Sequence, residues 1–450
     1  MEMQYKNKQV MSFFMIVVLM LNTVINVLPI SAQSSTEKVK EQTLGDGITH
    51  KEINTSNYSN SGLRQNINIV KANLNHPDVE VKTTKALDRV IARETLSQQA
   101  AREEKRGGYH FVAGVNADLF HMIDGSPLGV HIKNGKLLVT HASSNGGKLR
   151  PSFAIDRHKQ PMIAEMYATG QLKLENQEII LDTLNRNDIN NRTILYTSEI
   201  NQKSSLDVPY DNGAYVLMTA TEAFSGIIPG QTISAKMERD TYVEQSKKGT
   251  QVQLKQNQFL LAAFGDKADT LRHAMQETED DDTSLIFNVY ANGQVKNDIE
   301  EAITSQNWLV QNGHAYTSEE LKNMGYGSGL TDSTNARTAI GLTANNELIL
   351  YTVDKPSATY SQATGFTNET LAKAMKAEGA IVAVNLDGGG STQMNIKPEG
   401  TNKLIVQNYP GDNEERPITN GIFINYKGKK TTTVGKTIVE PKKITMYKNA

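Results

Sequence analysis

Four of the six Asn-Gly dipeptides, Asn134-Gly135, Asn212-Gly213, Asn292-Gly293 and Asn312-Gly313, each fall between runs of β-forming residues. Asn and Gly tolerate the positive φ that two-residue hairpin turns demand, so a chain punctuated this way folds largely as strands. The alternation of Ile67, Ile69 and Val70, followed by Val79 and Val81, predicts a hairpin across Asn75-His76-Pro77-Asp78. Helices are fewer. Residues 93–105 place Leu96 and Ala100 on one side, and Glu369 to Glu378 is preceded by Thr367 or Asn368 as cap and ended by Gly379. Strands are predicted at Ile381–Leu386 and Ile422–Tyr426. The fold class expected is α+β: a single strand-rich domain with mixed sheets and a few helices. No repeat of solenoid period is present.

The first 32 residues set an address. Lys6 and Lys8 precede an apolar stretch from Met11 to Leu28, and Pro29-Ile30-Ser31-Ala32 ends it on small residues. This is the pattern of a secretory signal peptide. Asn22 and Asn26 interrupt the run, which makes it poor as a retained anchor. The expected product is secreted or cell-wall associated, with no transmembrane helix after cleavage.

Composition removes several functional classes. A chain of 450 residues at 38% hydrophobic and net charge −2 is globular and does not neutralise nucleic-acid phosphates in bulk. With no cysteine, it can have neither thiol catalysis nor a Cys-ligated metal. His121, His131 and His141 form no His-Glu-x-x-His pattern, so no zinc site or other cofactor is expected. The acidic run Glu277–Asp282 lacks the spacing of a calcium loop and reads as a solvated segment. Residues 427–450 carry seven lysines and one glutamate. They read as a linker, the start of a further module, or a tail that touches an anionic wall polymer. The expected organisation is a signal peptide at 1–32, a linker at 33–59 whose residues 33–50 are polar and flexible, the main domain at 60–426 and the basic tail.

Four short stretches carry polar and glycine residues that packing alone does not require. They are Gly114–Phe120 with Asp124–Gly129, Asn335–Gly341 leading to Asp354, Ala383–Thr392, and Asn408–Asp412 with Glu414–Gly421. In the third, an apolar run ends at Asp387 and three glycines, Gly388, Gly389 and Gly390. A buried strand would deliver Asp387 to a sheet edge, where the glycines let a ligand approach the backbone. The N–H groups of Gly389, Gly390 and Ser391 could form an anion-binding nest. The same residues also suit a tight turn with a capping aspartate. Arg337 and Arg416 are candidate anion holders, since a guanidinium fork grips phosphate in two places. Asp118, between Asn116 and Phe120, suits a sugar contact or an Asx turn.

Together, Asn116–Phe120 with Gly129, Ala336–Gly341, Asn385–Ser391 and the 408–416 stretch resemble the phosphodiester glycosidase family, in order and spacing from about residue 60 to 426. Two departures stand out. Ser305-Gln306 occupy a place where the family often has glycines, and Gly411 a place commonly filled by serine. The resemblance implies hydrolysis of the glycosidic C–O bond of a sugar 1-phosphodiester, or of a similar linkage in an anionic glycopolymer. On that reading Asp387 is the carboxylate beneath the anomeric carbon, with Asp118 or Glu415 as its partner and Arg337 and Arg416 neutralising the phosphate. Asn116, Phe120, Asn385, Gly388, Gly389, Gly390 and Ser391 would line the substrate. The alternative is a non-catalytic wall- or exopolysaccharide-binding module of the same fold.

Overall fold

The computed structural model describes residues 37–58, 64–141, 149–187, 189–200, 206–207, 213–243, 251–277, 281–358, 360–398, 400–428 and 437–438. The expected signal peptide, most of the basic tail, Asn212 and the centre of the 277–282 acidic run lie outside them.

Three large sheets dominate, of nine, thirteen and five strands. Every strand pair in the nine- and five-stranded sheets is antiparallel. In the thirteen-stranded sheet, Thr183–Leu184 runs parallel to Thr193–Thr197. A strand-rich protein with few helices and mixed sheets is what the turn pattern foretold.

The nine-stranded sheet shows why its strands read as continuous apolar runs. Along Glu347–Val353, Leu348 and Leu350 face one core while Ile349, Tyr351 and Val353 face another. Both faces are covered, so no polar alternation survives. The first core lies against the five-stranded sheet, through Val112, Val115, Ile422 and Ile424. The second is closed by the helix Asn368–Ala377, through Leu371, Ala372 and Met375. Thr367 caps that helix by accepting from the N–H of Thr370, and Gly379 leaves it at φ 97°. A third core belongs to the thirteen-stranded sheet and includes Leu172, Val216, Leu261 and Phe287.

Two expectations need correction. Residues 37–55, read as part of a linker, are the strands Glu37–Gly45 and Ile48–Thr55, paired with each other and onto Gln65–Asn73. Their polar side chains line a sheet margin, which hides the strand signal from a hydrophobicity reading. The expected 67–81 hairpin does not form. Gln65–Asn73 joins the nine-stranded sheet, and Val79–Thr83 crosses to the five-stranded sheet beside Gly421–Tyr426. The Asn-Gly turns fare better. Asn134 and Gly135 take φ of 50° and 72° between paired strands, and Asn292-Gly293 and Asn312-Gly313 do likewise.

Among the described residues no helix is long and apolar enough to cross a membrane.

Candidate active site

The nine- and five-stranded sheets meet at the ends of two strands, Ala380–Asn385 and Phe111–Asn116. Just past those ends the chains are stitched together. The N–H of Asp387 donates to the carbonyl of Ala117 at 3.0 Å, and the Asn116 side-chain amide donates to the carbonyl of Asp387 at 2.7 Å. Asp118 and Asp387 therefore project from adjoining strand exits, close enough for the Asp387 charge to be felt by Asp118.

Their surroundings differ. Asp118 is buried, and both of its oxygens accept hydrogen bonds, Oδ1 from the Thr304 N–H at 2.5 Å and Oδ2 from the Asn420 amide at 3.0 Å. Burial pushes its carboxyl up to about 7, with the Asp387 charge adding to the rise and Asn420, Thr304 and Arg150 opposing it. Asp387 keeps part of its surface open, and its Oδ1 accepts from the Gly388 N–H at 2.9 Å. Withdrawal from water raises it to about 6, against the pull of Ser391, the Gly388 N–H and Arg416. Two coupled carboxyls, each holding its proton more tightly than usual, can divide acid and base roles near neutral pH.

Arg416 approaches this pair from the 408–416 stretch. Its Nε donates to Asp412 at 2.6 Å and its NH1 to the Ser391 hydroxyl at 3.3 Å. Its bed is Gly390: a Cβ there would lie 1.9 Å from the Arg416 guanidinium and 2.2 Å from Asp412 Oδ1. Glycine at that position is thus a requirement of close packing.

Arg150 is a second cation at the site, and sequence reasoning missed it. It stands immediately before the strand Pro151–Asp156, half-buried, with its charge acting on Asp118 and Tyr326. No local motif marks it. Thr304 and Asn420, which hold Asp118, were missed too, although Asn420 sits in the fourth stretch among the polar residues that packing alone does not require.

Several predicted site residues are elsewhere engaged. Arg337 is buried and donates to three carbonyls, of Phe366, Leu330 and Ser333, at 3.1, 3.1 and 2.7 Å. Desolvation lowers it to about 10, with no carboxylate beside it. It braces the segment around the helix Ser328–Thr331 and does not present an anion-binding fork there. Glu415 accepts from Ser97 at 2.7 Å and from Asn395 at 2.9 Å, tying the helix Leu96–Arg106 to the five-stranded sheet. Phe120 packs in a core with Leu96, Phe111, Ile418 and Phe423, so it offers no sugar platform. Asn116, buried, spends its carbonyl on the Thr338 hydroxyl and the Gln393 N–H, at 2.7 and 3.0 Å. Asn385 donates to Gln306 and Asn307, at 2.8 and 3.1 Å. Gln306, one of the departures from the family pattern, thereby joins the polar cluster behind the strand. The anion nest is also modified: the Gly389 N–H donates to Ala336 and the Ser391 N–H to Gly388, within a single 3₁₀ turn at Gly389–Ser391.

Two clefts among the described residues lie apart from these carboxylates. One is lined by Lys136, Thr197, Glu199 and Phe224, the other by Glu80, Lys82, Asp156 and Arg157. Chemistry and not cavity size places the site. Among the described residues, no three His, Asp or Glu side chains gather as metal ligands.

Fold and site thus define a strand-rich protein with a coupled aspartate pair flanked by arginines. Residues 231–425 match the family model described as phosphodiester glycosidase, which bears out the resemblance over the second, third and fourth stretches. The first stretch, with Asp118, precedes the matched segment. Among solved structures, a hypothetical protein from Synechocystis is similar with a TM-score of 0.66 and 16% identity, over 86% of this chain and 64% of that one. The chain thus spans under two thirds of that protein's length. A protein described as exported, from Burkholderia pseudomallei, is similar with a TM-score of 0.64 and 15% identity, over 88% of this chain and 98% of that one. The catalytic domain of zebrafish N-acetylglucosamine-1-phosphodiester alpha-N-acetylglucosaminidase, auto-inhibited by its pro-peptide, gives a TM-score of 0.43 at 14% identity, over 87% and 89% of the two chains. None of the curated proteins compared matches this chain.

Proposed function

We propose that the protein is an exported hydrolase that cleaves the glycosidic C–O bond of sugar 1-phosphodiesters, including such linkages within anionic glycopolymers. The observation that carries this reading is the pairing of Asp118 and Asp387 at adjoining strand ends, with carboxyls raised to about 7 and about 6. Asp387, the more open of the two, acts as the carboxylate beneath the anomeric carbon, and an oxocarbenium-like transition state needs its negative charge. Asp118, protonated to a higher pH, is its partner in proton handling. Arg416 and Arg150 neutralise charge on the departing phosphate, which leaves more readily when screened than when protonated. The 1–32 segment directs export in this reading, and the basic tail contributes to wall association.

The test is hydrolysis of an N-acetylglucosamine 1-phosphodiester in heavy-oxygen water. Label is expected in the released sugar, with a phosphomonoester as the other product. Label in the phosphate would mean P–O cleavage and overturn the reading. The non-catalytic binding module has one observation in its favour, the engagement of both Asp118 oxygens by protein donors. Saturable binding with no released sugar would decide for it.

A further inference from the structure

Gly411 stands where the family commonly has serine, and its neighbour in space explains the exchange. A Cβ at Gly411 would lie 2.3 Å from Lys355 Cε and 3.2 Å from Lys355 Nζ, on top of the lysine stem. The same Cβ would lie 3.3 Å from the carbonyl of Gly389, so Lys355 reaches the edge of the glycine turn that follows Asp387. Arg416 lies against the next residue of that turn, Gly390. Two cations thus border the same glycine turn, Lys355 beside Gly411 and Arg416 against Gly390.

Lys355 has no counter-charge in this setting. Among the described residues it makes no salt bridge or side-chain hydrogen bond, whereas Arg416 is held by Asp412. Its sequence neighbour Asp354 is buried and spends its oxygens on the Asn408 amide and the Tyr409 N–H, both at 3.0 Å. An ammonium that no protein carboxylate engages, set beside a glycine turn, is open to an anion brought by a ligand. The chain preceding Gly411 is pinned by side-chain contacts. Tyr360 and Tyr409 stack at 4.5 Å, and Asn408 also donates to the carbonyl of Thr392 and accepts from the N–H of Met394, at 3.0 and 2.8 Å. The chain leading into Gly411 is thus hydrogen-bonded and stacked in place, and Gly411 leaves room for the Lys355 stem.

We propose that Lys355, admitted by Gly411, is a phosphate-binding residue that works beside Arg416. In the reaction proposed above, on which this inference rests, it holds the phosphate of the substrate and of the phosphomonoester product. The lysine acts as a positioning residue for the anion and takes no part in breaking the C–O bond.

The experiment is calorimetric titration of the full chain with inorganic phosphate, comparing wild type, Lys355→Met and Gly411→Ser. Methionine keeps the stem and removes the charge; serine puts a Cβ where the stem now lies. Both variants are expected to bind phosphate about tenfold more weakly, and Lys355→Met to keep the wild-type thermal midpoint. With an N-acetylglucosamine 1-phosphodiester, Lys355→Met is expected to raise KM and leave kcat within about twofold. Equal phosphate affinity in wild type and Lys355→Met would overturn the proposal, as would a wild type that binds none. If the lysine variant loses phosphate while the wild type cleaves no diester, the glycosidase reading falls and the lysine site stands.

Discussion

The Asn116 side-chain amide donates to the main-chain carbonyl of Asp387 at 2.7 Å, across 271 residues of chain. That bond joins the five-stranded sheet to the nine-stranded one just where the two candidate carboxylates emerge. Asn116 also accepts from Thr338 and Gln393, so one buried amide orients three of the four stretches that stand out in the sequence. Such a hydrogen-bonded hub fixes geometry that apolar packing would leave loose.

Asp387→Asn tests the chemistry at its centre. The substitution preserves shape and the main-chain bonds to Ala117 and Asn116, and removes the charge that an oxocarbenium-like state requires. Turnover is expected to fall by about 10⁴-fold with an unchanged thermal midpoint. Single-turnover kinetics together with calorimetric melting make the measurement, and an active variant would move the role elsewhere.

The pH profile follows from the two raised carboxyls. Activity needs Asp387 ionised and Asp118 protonated, so kcat/KM is expected to fall below about 6 and above about 7. Stability has its own sign. A carboxyl raised in the folded state binds protons that the unfolded chain has already released, so stability drops as pH climbs from about 4 to 7. Asp354, also raised to about 7 by burial, adds to the drop. Asp118→Asn is expected to flatten the slope of melting temperature against pH in that window; an unchanged slope would show that burial of Asp118 is not what sets it.

Arg416 and Gly390 are expected to fail together. Arg416→Ala should lower kcat/KM by about 10²–10³-fold, the loss of one preorganised donor at a developing charge. Gly390→Ala should approach the same value without touching the arginine, because its methyl would occupy the guanidinium's place. Wild-type kinetics in Gly390→Ala would mean that Arg416 can move aside at no cost.

Arg337 should behave as a structural residue. Its replacement by alanine strands three carbonyls, those of Phe366, Leu330 and Ser333, in a buried setting. A loss of about 3 kcal/mol in unfolding free energy is expected by denaturant titration. At a temperature where the variant remains folded, its kcat should stay near wild type. A large kcat defect in a stably folded variant would restore Arg337 to the chemistry.

Glu415→Gln provides the contrasting control. Glutamine keeps an acceptor for Ser97 and Asn395, so both activity and melting temperature are expected to hold. Strong loss of turnover would place Glu415 among the reacting groups.

Much of this protein was local enough to be written in sequence. The Asn-Gly turns needed only positive φ at two consecutive residues, and the helix Asn368–Ala377 needed only its Thr367 cap, its periodicity and Gly379. The apolar run into Asp387 and the glycines beyond it announced a strand end with backbone open to close approach. Partner choice was not local. Gln65–Asn73 and Val79–Thr83 alternate as a hairpin would, yet each pairs with a strand more than 270 residues away, because placing them in two facing sheets around one shared core buries more apolar surface than a lone hairpin can. The same holds for the site. A motif names residue types, but whether an arginine meets a ligand or three carbonyls depends on which segments fold against it. Tertiary packing therefore turned Arg337 and Glu415 inward, brought Arg150 to Asp118 from outside every motif, and let Gly411 make room for Lys355.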